Sequence, residues 1–330
     1  MPTNLPPECQ KIEERYRAAE TTSEKIACLE ELLAAIPKHK GTDRLRADLR
    51  RKLSKLRESA QQARKKGGRQ ESAFYIPKEG AGQAVLVGPP NVGKSALVAA
   101  LTNAAPEVAE YPLTTWLPTP GMMPIENIQV QLIDTPSLHQ GYVEPQLVHM
   151  IRRADLILLV VDVQAYPIEQ LEETLAFLLE HRIAPPCLQE RYISEQRFRF
   201  IPLLVVVNKT DDAHLDEDYE VLQELLAEED WPMTPVSATT GRHFDLLKQA
   251  VFEQLEIIRV YSKPPGMEPN LDAPFVLKRG GTVEEFAGKV HQDFADNLKA
   301  ARVWGSALFD GQMVKRDYVL HDGDVVELRI

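Results

Sequence analysis

The sequence lacks long apolar runs and has little cysteine. No apolar stretch in its 330 residues reaches the roughly 18 that a membrane-spanning helix needs. The segment Met1–Glu8 does not have the basic-then-apolar order of a secretory signal peptide. The three cysteines, Cys9, Cys28 and Cys187, lie far apart without metal-ligand spacing, so we expect reduced thiols. These absences predict a cytoplasmic protein and argue against a disulfide framework.

Basic charge is also scarce, except in one segment. Lys and Arg number 38 against 49 Asp and Glu, which gives a net charge of −11. Lys38–Arg69 alone contains 13 basic and 3 acidic residues, a net charge of +10, and leaves −21 for the rest of the chain. An acidic body with one basic segment predicts a polyanionic partner, such as RNA, for that segment. The alternative is an ordinary solvated helix face.

The periodicity of the apolar residues divides the chain into three regions. Residues 1–70 predict a basic helical arm or hairpin, in which leucines three and four apart form a seam over Leu45–Leu56. That seam can pack within the chain or against a protein partner. Gly67–Ser72 has the composition of a flexible linker. We expect an α/β domain at 71–260 and a smaller domain at 261–330.

The α/β domain is predicted from apolar runs that alternate with amphipathic segments. Short runs rich in branched residues are typical of buried parallel strands. They occur at Gln83–Gly88, Val130–Ile133, Leu156–Val161 and Leu203–Val207. Helical patterns separate them at Gln146–Arg152, Ile168–Leu179, Asp216–Ala227 and Phe244–Glu256. This order predicts a doubly wound, mostly parallel sheet whose ligands bind at the carboxyl ends of the strands.

The first predicted strand runs into Gly88–Ser95, which matches the phosphate-loop pattern G-x-x-x-x-G-K-[ST]. Pro89 and Pro90 have no N–H, so the amides that follow must bind the phosphates, helped by the positive end of a helix. We expect Lys94 to reach the β- and γ-phosphates and the Ser95 hydroxyl to bind Mg²⁺. The expected nucleotide contacts of this loop are Gly88, Asn91, Val92, Gly93, Lys94, Ser95 and Ala96.

Two further segments are placed to hold the metal and the γ-phosphate. Asp134 follows the strand Val130–Ile133, and an acid at this point can bind Mg²⁺ directly or through water. The Pro-rich stretch Tyr111–Gly121 is too long for a simple turn. It predicts a switch loop in which Thr115 binds Mg²⁺ and touches the γ-phosphate, although an ordinary surface loop is the alternative. Lys94, Thr115 and Asp134 are therefore the candidate catalytic residues.

The tetrapeptide Asn208–Asp211 predicts which base is bound. The carboxylate of Asp211 can accept hydrogen bonds from N1–H and the 2-amino group of guanine, whereas adenine would leave it unpaired. The asparagine can brace the loop, and the stem of Lys209 can cover the face of the base. Ser237 and Ala238 follow the next predicted strand and would complete the pocket, with the Ala238 N–H facing guanine O6.

These motifs together resemble the translation-factor-like GTPases of the Obg and developmentally regulated GTP-binding (DRG) type. The tail adds to the resemblance, because Pro274–Phe286, Arg302–Ser306 and Leu320–Ile330 are similar to a TGS domain, a ubiquitin-like β-grasp module. The resemblance implies Mg²⁺-dependent binding of GTP and its hydrolysis to GDP. It also implies a ribosome or RNA partner, met by the basic arm and the TGS domain. A further implication is that Asn91 helps to hold a K⁺ ion that speeds hydrolysis.

The sequence departs from this family at the segment after Asp-Thr-Pro. Ser137 stands where the family has Gly, and its Cβ narrows the allowed backbone. Leu138–Val143 is shorter than the family's second switch, and neither His139 nor Gln140 is a favoured candidate for positioning water. Slow hydrolysis is therefore expected. The alternatives are a non-hydrolysing guanine-nucleotide sensor and an RNA-binding adaptor with a vestigial GTPase domain, while Asp211 argues against an ATPase.

The tail also predicts its own local structure. Thr282 can cap a helix whose apolar face would consist of Val283, Phe286, Val290 and Phe294. Asp322–Gly323 is a hairpin-turn signal before the alternating last strand. A basic rim is available from Lys278, Arg279, Lys299 and Arg302. This rim either contacts RNA or belongs to a plain packing domain.

Overall fold

The computed structural model describes part of the chain: Glu31 and residues 74–102, 118–138, 144–195, 197–229 and 231–329. The chain divides into two units, 1–72 and 73–330, and nearly all of the described residues lie in the second. Apart from Glu31, the predicted basic arm, its leucine seam and the linker lie outside the described residues. The same is true of Thr115, His139 and Gln140.

Six of the described strands form the larger sheet. They are β1 (Gln83–Val87), β2 (Thr119–Ile125), β3 (Ile128–Asp134), β4 (Leu156–Asp162), β7 (Leu203–Asn208) and β8 (Met233–Pro235). Their order is β2-β3-β1-β4-β7-β8, with β2 antiparallel to β3 and the other neighbours parallel. Every residue of β1, β4 and β7 is buried, as expected for parallel strands that are covered on both faces.

Helices cover both faces of this sheet. They are α1 (Lys94–Leu101), α2 (Pro145–Arg153), α3 (Pro167–Glu180), α5 (Ala213–Leu225) and α6 (Phe244–Gln254). Leu97 of α1 and Val251 of α6 share a core with Leu86, whereas Ile151 of α2 belongs with Val85 to the other core. Neighbouring strand residues enter different cores because successive side chains point to opposite faces. The predicted doubly wound α/β fold is confirmed.

Two parts of the larger domain were not predicted from the sequence. Strand β2 begins within the segment Tyr111–Gly121, which was predicted as a loop, and its Pro120 and Pro124 are tolerated because β2 is an edge strand. Between α3 and β7 the chain forms a short excursion, in which two short strands pair in parallel. It consists of β5 (Ile183–Ala184), a 3₁₀ turn (Pro186–Leu188), α4 (Gln189–Tyr192) and β6 (Arg199–Phe200).

Each predicted helix of this domain begins and ends within three residues of the observed helix. The largest difference is at α5, which begins at Ala213 because Asp212 caps it. The Asp212 carboxylate accepts hydrogen bonds from the amides of His214 at 2.9 Å and Leu215 at 3.1 Å. Among the described residues, no helix is both long and apolar enough to cross a lipid bilayer.

The smaller domain is a second sheet packed on two helices. Its strands are β9 (Ile257–Ser262), β10 (Phe275–Lys278), β11 (Ala300–Trp304), β12 (Gln312–Val314) and β13 (Val325–Arg329), in the order β10-β9-β13-β11-β12. The helices are α7 (Val283–Val290) and α8 (Gln292–Asn297). Phe286 is fully buried in the core of this domain with Val303 and Val326. The strand β9 of this sheet begins at Ile257, and the domain boundary at 261 stays a prediction.

Two details of the tail differ from the sequence prediction. Thr282 does cap α7, accepting from the Glu285 amide at 3.4 Å, but His291 has extended backbone and ends the helix, so Phe294 lies in α8. Asp322–Gly323 forms a turn, but this turn does not join two paired strands. It leads into β13, which pairs antiparallel with β11 and parallel with β9, as a β-grasp sheet requires.

The β2–β3 turn contacts the smaller domain. Arg259 of β9 forms ion pairs with Glu126 in this turn and with Asp322, at 2.7 Å to the latter. Asn127 donates to the Tyr261 hydroxyl at 2.8 Å. Burial alone would raise the pKa of Asp322, but the hydrogen bonds from the Arg259 side chain and amide outweigh it and lower that pKa.

Replacing Arg259 with Met should lower the melting temperature by about 2–4 °C, the shift that ~1 kcal/mol gives in a domain of this size. Because the pKa of Asp322 is lowered, its contribution to stability is present above its ordinary value of about 4 and is lost as the pH falls through the lowered pKa. The difference between wild type and Arg259→Met should therefore be smaller at pH 3 than at pH 7. Calorimetry at both pH values tests this.

Lys78→Met is the matched control, since Lys78 pairs with Asp155 at 2.5 Å and its side chain is 40% exposed, against 16% for Arg259. This account of the Arg259 ion pairs would be contradicted if Arg259→Met lowered the melting temperature only as much as the control does. It would also be contradicted if that decrease were the same at pH 3 and pH 7.

Candidate nucleotide-binding site

The predicted motifs meet at one edge of the larger sheet. Strands β1, β3, β4, β7 and β8 all end there because they are parallel. The last residues of these strands and the segments that follow them contain the predicted motifs, namely Gly88–Ser95, Asp134, Asn208–Asp211 and Ser237–Ala238. Loops at the carboxyl ends of a doubly wound sheet are where ligands bind in this architecture.

The loop after β1 turns back on itself through left-handed backbone. Gly88, Asn91 and Gly93 have φ angles of 147°, 65° and 90°, and α1 starts immediately afterwards at Lys94. Gly93 also needs to lack a Cβ, because an added Cβ would collide with the side-chain nitrogen of Asn208. The loop therefore presents the first amides of α1 at a point where an anion can approach the backbone closely.

Lys94 is held across this loop. Its Nζ donates to the carbonyls of Gly88 at 2.9 Å and Pro89 at 2.8 Å, and to the Ser137 hydroxyl at 3.4 Å. Burial lowers the pKa of Lys94 to about 8, although the nearby Asp134 carboxylate opposes the shift. A polyphosphate at this position would supply negative charge that favours the protonated lysine.

Ser95 and Asp134 bring two oxygen donors together. The Ser95 hydroxyl donates to Asp134 Oδ2 at 2.5 Å, while Asp134 Oδ1 is buried without a hydrogen-bond partner. Burial raises the pKa of Asp134, and the Ser95 hydrogen bond and the Lys94 charge oppose that rise. The Ser95 hydroxyl and the Asp134 carboxylate, with one carboxylate oxygen unsatisfied, fit Mg²⁺, which prefers hard oxygen ligands. Thr115, the third predicted ligand, lies outside the described residues.

The segment after Asp134 is tied to the phosphate loop. The Thr135 hydroxyl donates to the Leu86 carbonyl at 2.6 Å, and the Leu138 amide donates to the Gly88 carbonyl at 3.4 Å. Ser137 lies between these two bonds, and its hydroxyl receives the hydrogen bond from Lys94. Ser137, which departs from the family pattern, thus lies beside Lys94, the residue predicted to bind the phosphates.

Asn208 connects the phosphate loop to the predicted base pocket. Its side chain is buried, donates to the Val92 carbonyl at 2.7 Å and accepts from the Ala238 amide at 3.1 Å. The Ala238 N–H, which was predicted to face guanine O6, is therefore engaged with Asn208 in this structure. Asp211 accepts a hydrogen bond from the buried Ser237 hydroxyl at 2.6 Å, which leaves its other carboxylate oxygen for a base.

Asp162 was not predicted from the sequence as a residue of this site. It is the last residue of β4 and lies beside Asn208 in the register of β4 with β7. Its buried carboxylate pairs with Lys209 Nζ at 2.5 Å, and Lys209 has left-handed backbone with φ 69°. The sequence did offer a signal for Asp162. It is an acidic residue directly after six apolar residues, on the strand next to that of Asn208.

Comparison with known proteins decides the family. Residues 83–209 match the family model described as a 50S ribosome-binding GTPase, and residues 258–330 match the TGS domain. The GTP-binding protein MJ1326 of Methanocaldococcus jannaschii is 33% identical, and the alignment covers 93% of this chain and 92% of that protein. The chain belongs to this family of GTP-binding proteins. It joins a P-loop GTPase domain to a C-terminal TGS domain.

More distant relatives have the same extent. Developmentally-regulated G-protein 3 of Arabidopsis thaliana is 28% identical over 93% of this chain and 98% of its own. Ribosome-interacting GTPase 1 of Saccharomyces cerevisiae is 25% identical over 93% of this chain and 99% of its own. The solved structure of the Schizosaccharomyces pombe YchF GTPase superposes with a TM-score of 0.53 at 14% identity, covering 77% of this chain and all of that one. That likeness supports the fold.

We predict that nucleotide binding takes up protons at alkaline pH. Lys94, with a pKa of about 8, is mostly neutral at pH 9 and mostly charged at pH 7. Bound phosphates favour its charged form, so the protein should gain close to one proton on binding GDP at pH 9 and much less at pH 7. Titration calorimetry in two buffers of different ionisation enthalpy, without Mg²⁺, measures the protons taken up. Equal uptake at both pH values would rule out Lys94 as the source.

Proposed function

We propose that the protein binds GTP, hydrolyses it to GDP and phosphate, and uses the nucleotide state to control its binding to the ribosome or another RNA assembly. The observation that carries the proposal is the meeting, at one edge of the sheet, of the Lys94 loop, the Ser95–Asp134 oxygen pair and the Asp211 carboxylate. A phosphate-binding lysine, a site for a divalent cation and an acceptor for a guanine edge are what a GTPase requires.

In this proposal the chain's own groups hold and orient GTP. Lys94 and the loop amides from Asn91 to Ala96 hold the phosphates, and Gly88 permits the turn. Ser95, Thr115 and Asp134 hold Mg²⁺. When bound, Mg²⁺ offsets charge on the β- and γ-phosphate oxygens. We also propose that Asn91, which is exposed at the tip of the loop, helps to hold a K⁺ ion.

Guanine selection is proposed for the loops after β7 and β8. Asp211 would accept from the guanine edge with the oxygen that Ser237 leaves free. The stem of Lys209 would lie over the base, with its ammonium fixed by Asp162. Asn208 would hold the phosphate loop through its hydrogen bond to the Val92 carbonyl, and Ala238 would turn its N–H from Asn208 to guanine O6.

The narrower assignment to the Obg/DRG type and the partner are also proposals. The relative named developmentally-regulated G-protein 3 supports the first, and the relative named ribosome-interacting GTPase 1 supports a ribosomal partner. We propose that the basic segment Lys38–Arg69 and the TGS domain make the RNA contacts, that the helical arm can also bind a protein, and that the protein acts in the cytoplasm.

A guanine-nucleotide sensor that does not hydrolyse GTP is the second candidate. The observation that favours it is Ser137, whose hydroxyl accepts a hydrogen bond from Lys94 at 3.4 Å. A side chain at this point competes with the γ-phosphate for the lysine and narrows the backbone that the switch can adopt. An RNA-binding adaptor with a vestigial GTPase domain would bind RNA equally well with and without nucleotide.

Single-turnover hydrolysis of GTP with Mg²⁺, in K⁺ and in Na⁺ and with ATP as a control, tests the proposal. We expect GTP and not ATP to be hydrolysed, slowly, and several-fold faster in K⁺. Lys94→Ala should weaken nucleotide binding by about a hundredfold or more, because the buried lysine contacts the phosphates in this proposal. Intact GTP after long incubation in both salts would favour the sensor.

Asp211→Asn should exchange the preferred base. An amide at this position donates where the carboxylate accepts, so it suits the C2 carbonyl of xanthine and opposes the 2-amino group of guanine. We expect the affinity for GDP to fall by about a hundredfold and the affinity for xanthosine diphosphate to rise. Competition binding with both nucleotides measures the change. An unaltered preference for GDP would place base recognition elsewhere.

A further inference from the structure

An ion pair outside the predicted nucleotide contacts connects the two base-recognition loops. Asp216 lies in the first turn of α5, five residues after Asp211, and Arg242 lies just before α6, four residues after Ala238. Arg242 donates to Asp216 Oδ2 at 2.5 Å, and each side chain is 31% exposed. The pair therefore bridges the segments that follow β7 and β8.

The backbone around Arg242 leads directly to Asp211. The Arg242 carbonyl accepts from the Ser237 amide at 3.1 Å, and the Ser237 hydroxyl donates to Asp211 Oδ1 at 2.6 Å. That hydroxyl also accepts from the Thr240 amide at 3.0 Å, and the Gly241 amide donates to the Ser237 carbonyl at 2.9 Å. The loop 237–242 is thus a closed turn whose fixed end is Arg242.

Asp216, the other residue of the ion pair, is also held in place. Asp212 caps α5, so Asp216 is held on the first turn of a regular helix. On the same side, His243 Nε2 lies 3.5 Å from Asp216 Oδ1, and both atoms are buried without a hydrogen-bond partner. Asp216 Oδ2 therefore holds Arg242 from a rigid position.

We propose that the Asp216–Arg242 ion pair is a positioning element that sets how long a guanine nucleotide stays bound. The inference rests on the proposed function of this site as a guanine-nucleotide site. Among the described residues, the ion pairs of these two side chains are with each other and with His243, not with the phosphate loop. Loss of the pair frees the turn 237–242 and, through Ser237, the carboxylate of Asp211. The Asp211 carboxylate is then no longer held at a fixed angle to the base, whereas the contacts of the phosphate loop with the phosphates are unchanged.

The consequence is selective for the base. Asp211 recognises the guanine 2-amino group only when its carboxylate is held at a fixed angle, and inosine nucleotides lack that group. A looser Asp211 therefore affects guanosine diphosphate more than inosine diphosphate. General destabilisation of the domain would affect the two nucleotides alike. The ratio of the two dissociation rates separates positioning from a merely structural role.

The test measures dissociation of fluorescent GDP and fluorescent IDP, both labelled on the ribose, from the full chain. We expect Arg242→Met to release GDP about tenfold faster than wild type, with IDP release much less affected, so that the GDP preference falls. Asp216→Asn should change both rates in the same direction but less, because an amide oxygen still accepts from Arg242. Arg242→Lys should restore part of the wild-type rate.

Lys78→Met is the matched control. Lys78 pairs with Asp155 at the same 2.5 Å distance, beside the amino end of β1 and so at the opposite edge of the sheet. This variant should release both nucleotides at the wild-type rate. Melting temperatures of all variants show whether they are folded, and Asp216→Asn and Arg242→Lys carry the test if Arg242→Met is not.

The outcomes separate this inference from the proposed function. Wild type that binds no guanine nucleotide overturns both. Wild type that binds GDP, with rates within twofold of it for Arg242→Met and Asp216→Asn, overturns only the role of the ion pair. Equal acceleration of GDP and IDP also overturns it, since the pair would then serve stability alone.

Discussion

The arrangement of the candidate site depends on one buried asparagine. Asn208 holds the carbonyl of Val92 in the phosphate loop with its amide nitrogen and the amide of Ala238 in the base loop with its oxygen. Because both groups of the amide are used, the side chain can take only one orientation. In the proposed function it sets the distance between the phosphates and the base. It also accounts for the glycine at position 93, because a Cβ there would collide with the side-chain nitrogen of Asn208.

Burial shifts the pKa values of the two charged residues at the phosphate loop, Lys94 and Asp134, in opposite directions. Lys94 is buried and donates to two carbonyl oxygens. Burial lowers its pKa to about 8, although the Asp134 carboxylate opposes the shift. Burial also raises the pKa of Asp134. Burial favours the neutral form of both groups. In the proposed function, a polyphosphate beside Lys94 and a divalent cation beside Asp134 would favour their charged forms.

The sequence was enough to predict the fold class and the residues at the strand ends, because glycines and charged residues directly after buried apolar runs are local signals. It was not enough for features made by distant residues. The prolines of edge strand β2 favoured a loop prediction for part of it. The Asp162–Lys209 and Asp216–Arg242 pairs depend on which strands and helices become neighbours in the fold. The turn at Asp322 was predicted, but its partner Arg259 was not, since 63 residues separate them.

Strand β9 has a consequence for exchanging modules between relatives. Ile257 is buried in the core of the larger domain, and the next residue, Ile258, is buried in the core of the smaller one. β9 also lies between β10 and β13 in the second sheet. A TGS module cut at residue 261 would leave most of this strand behind and expose its apolar residues. A chimera that keeps both cores intact has to be joined ahead of Ile257, and the core of its larger domain has to accommodate that side chain.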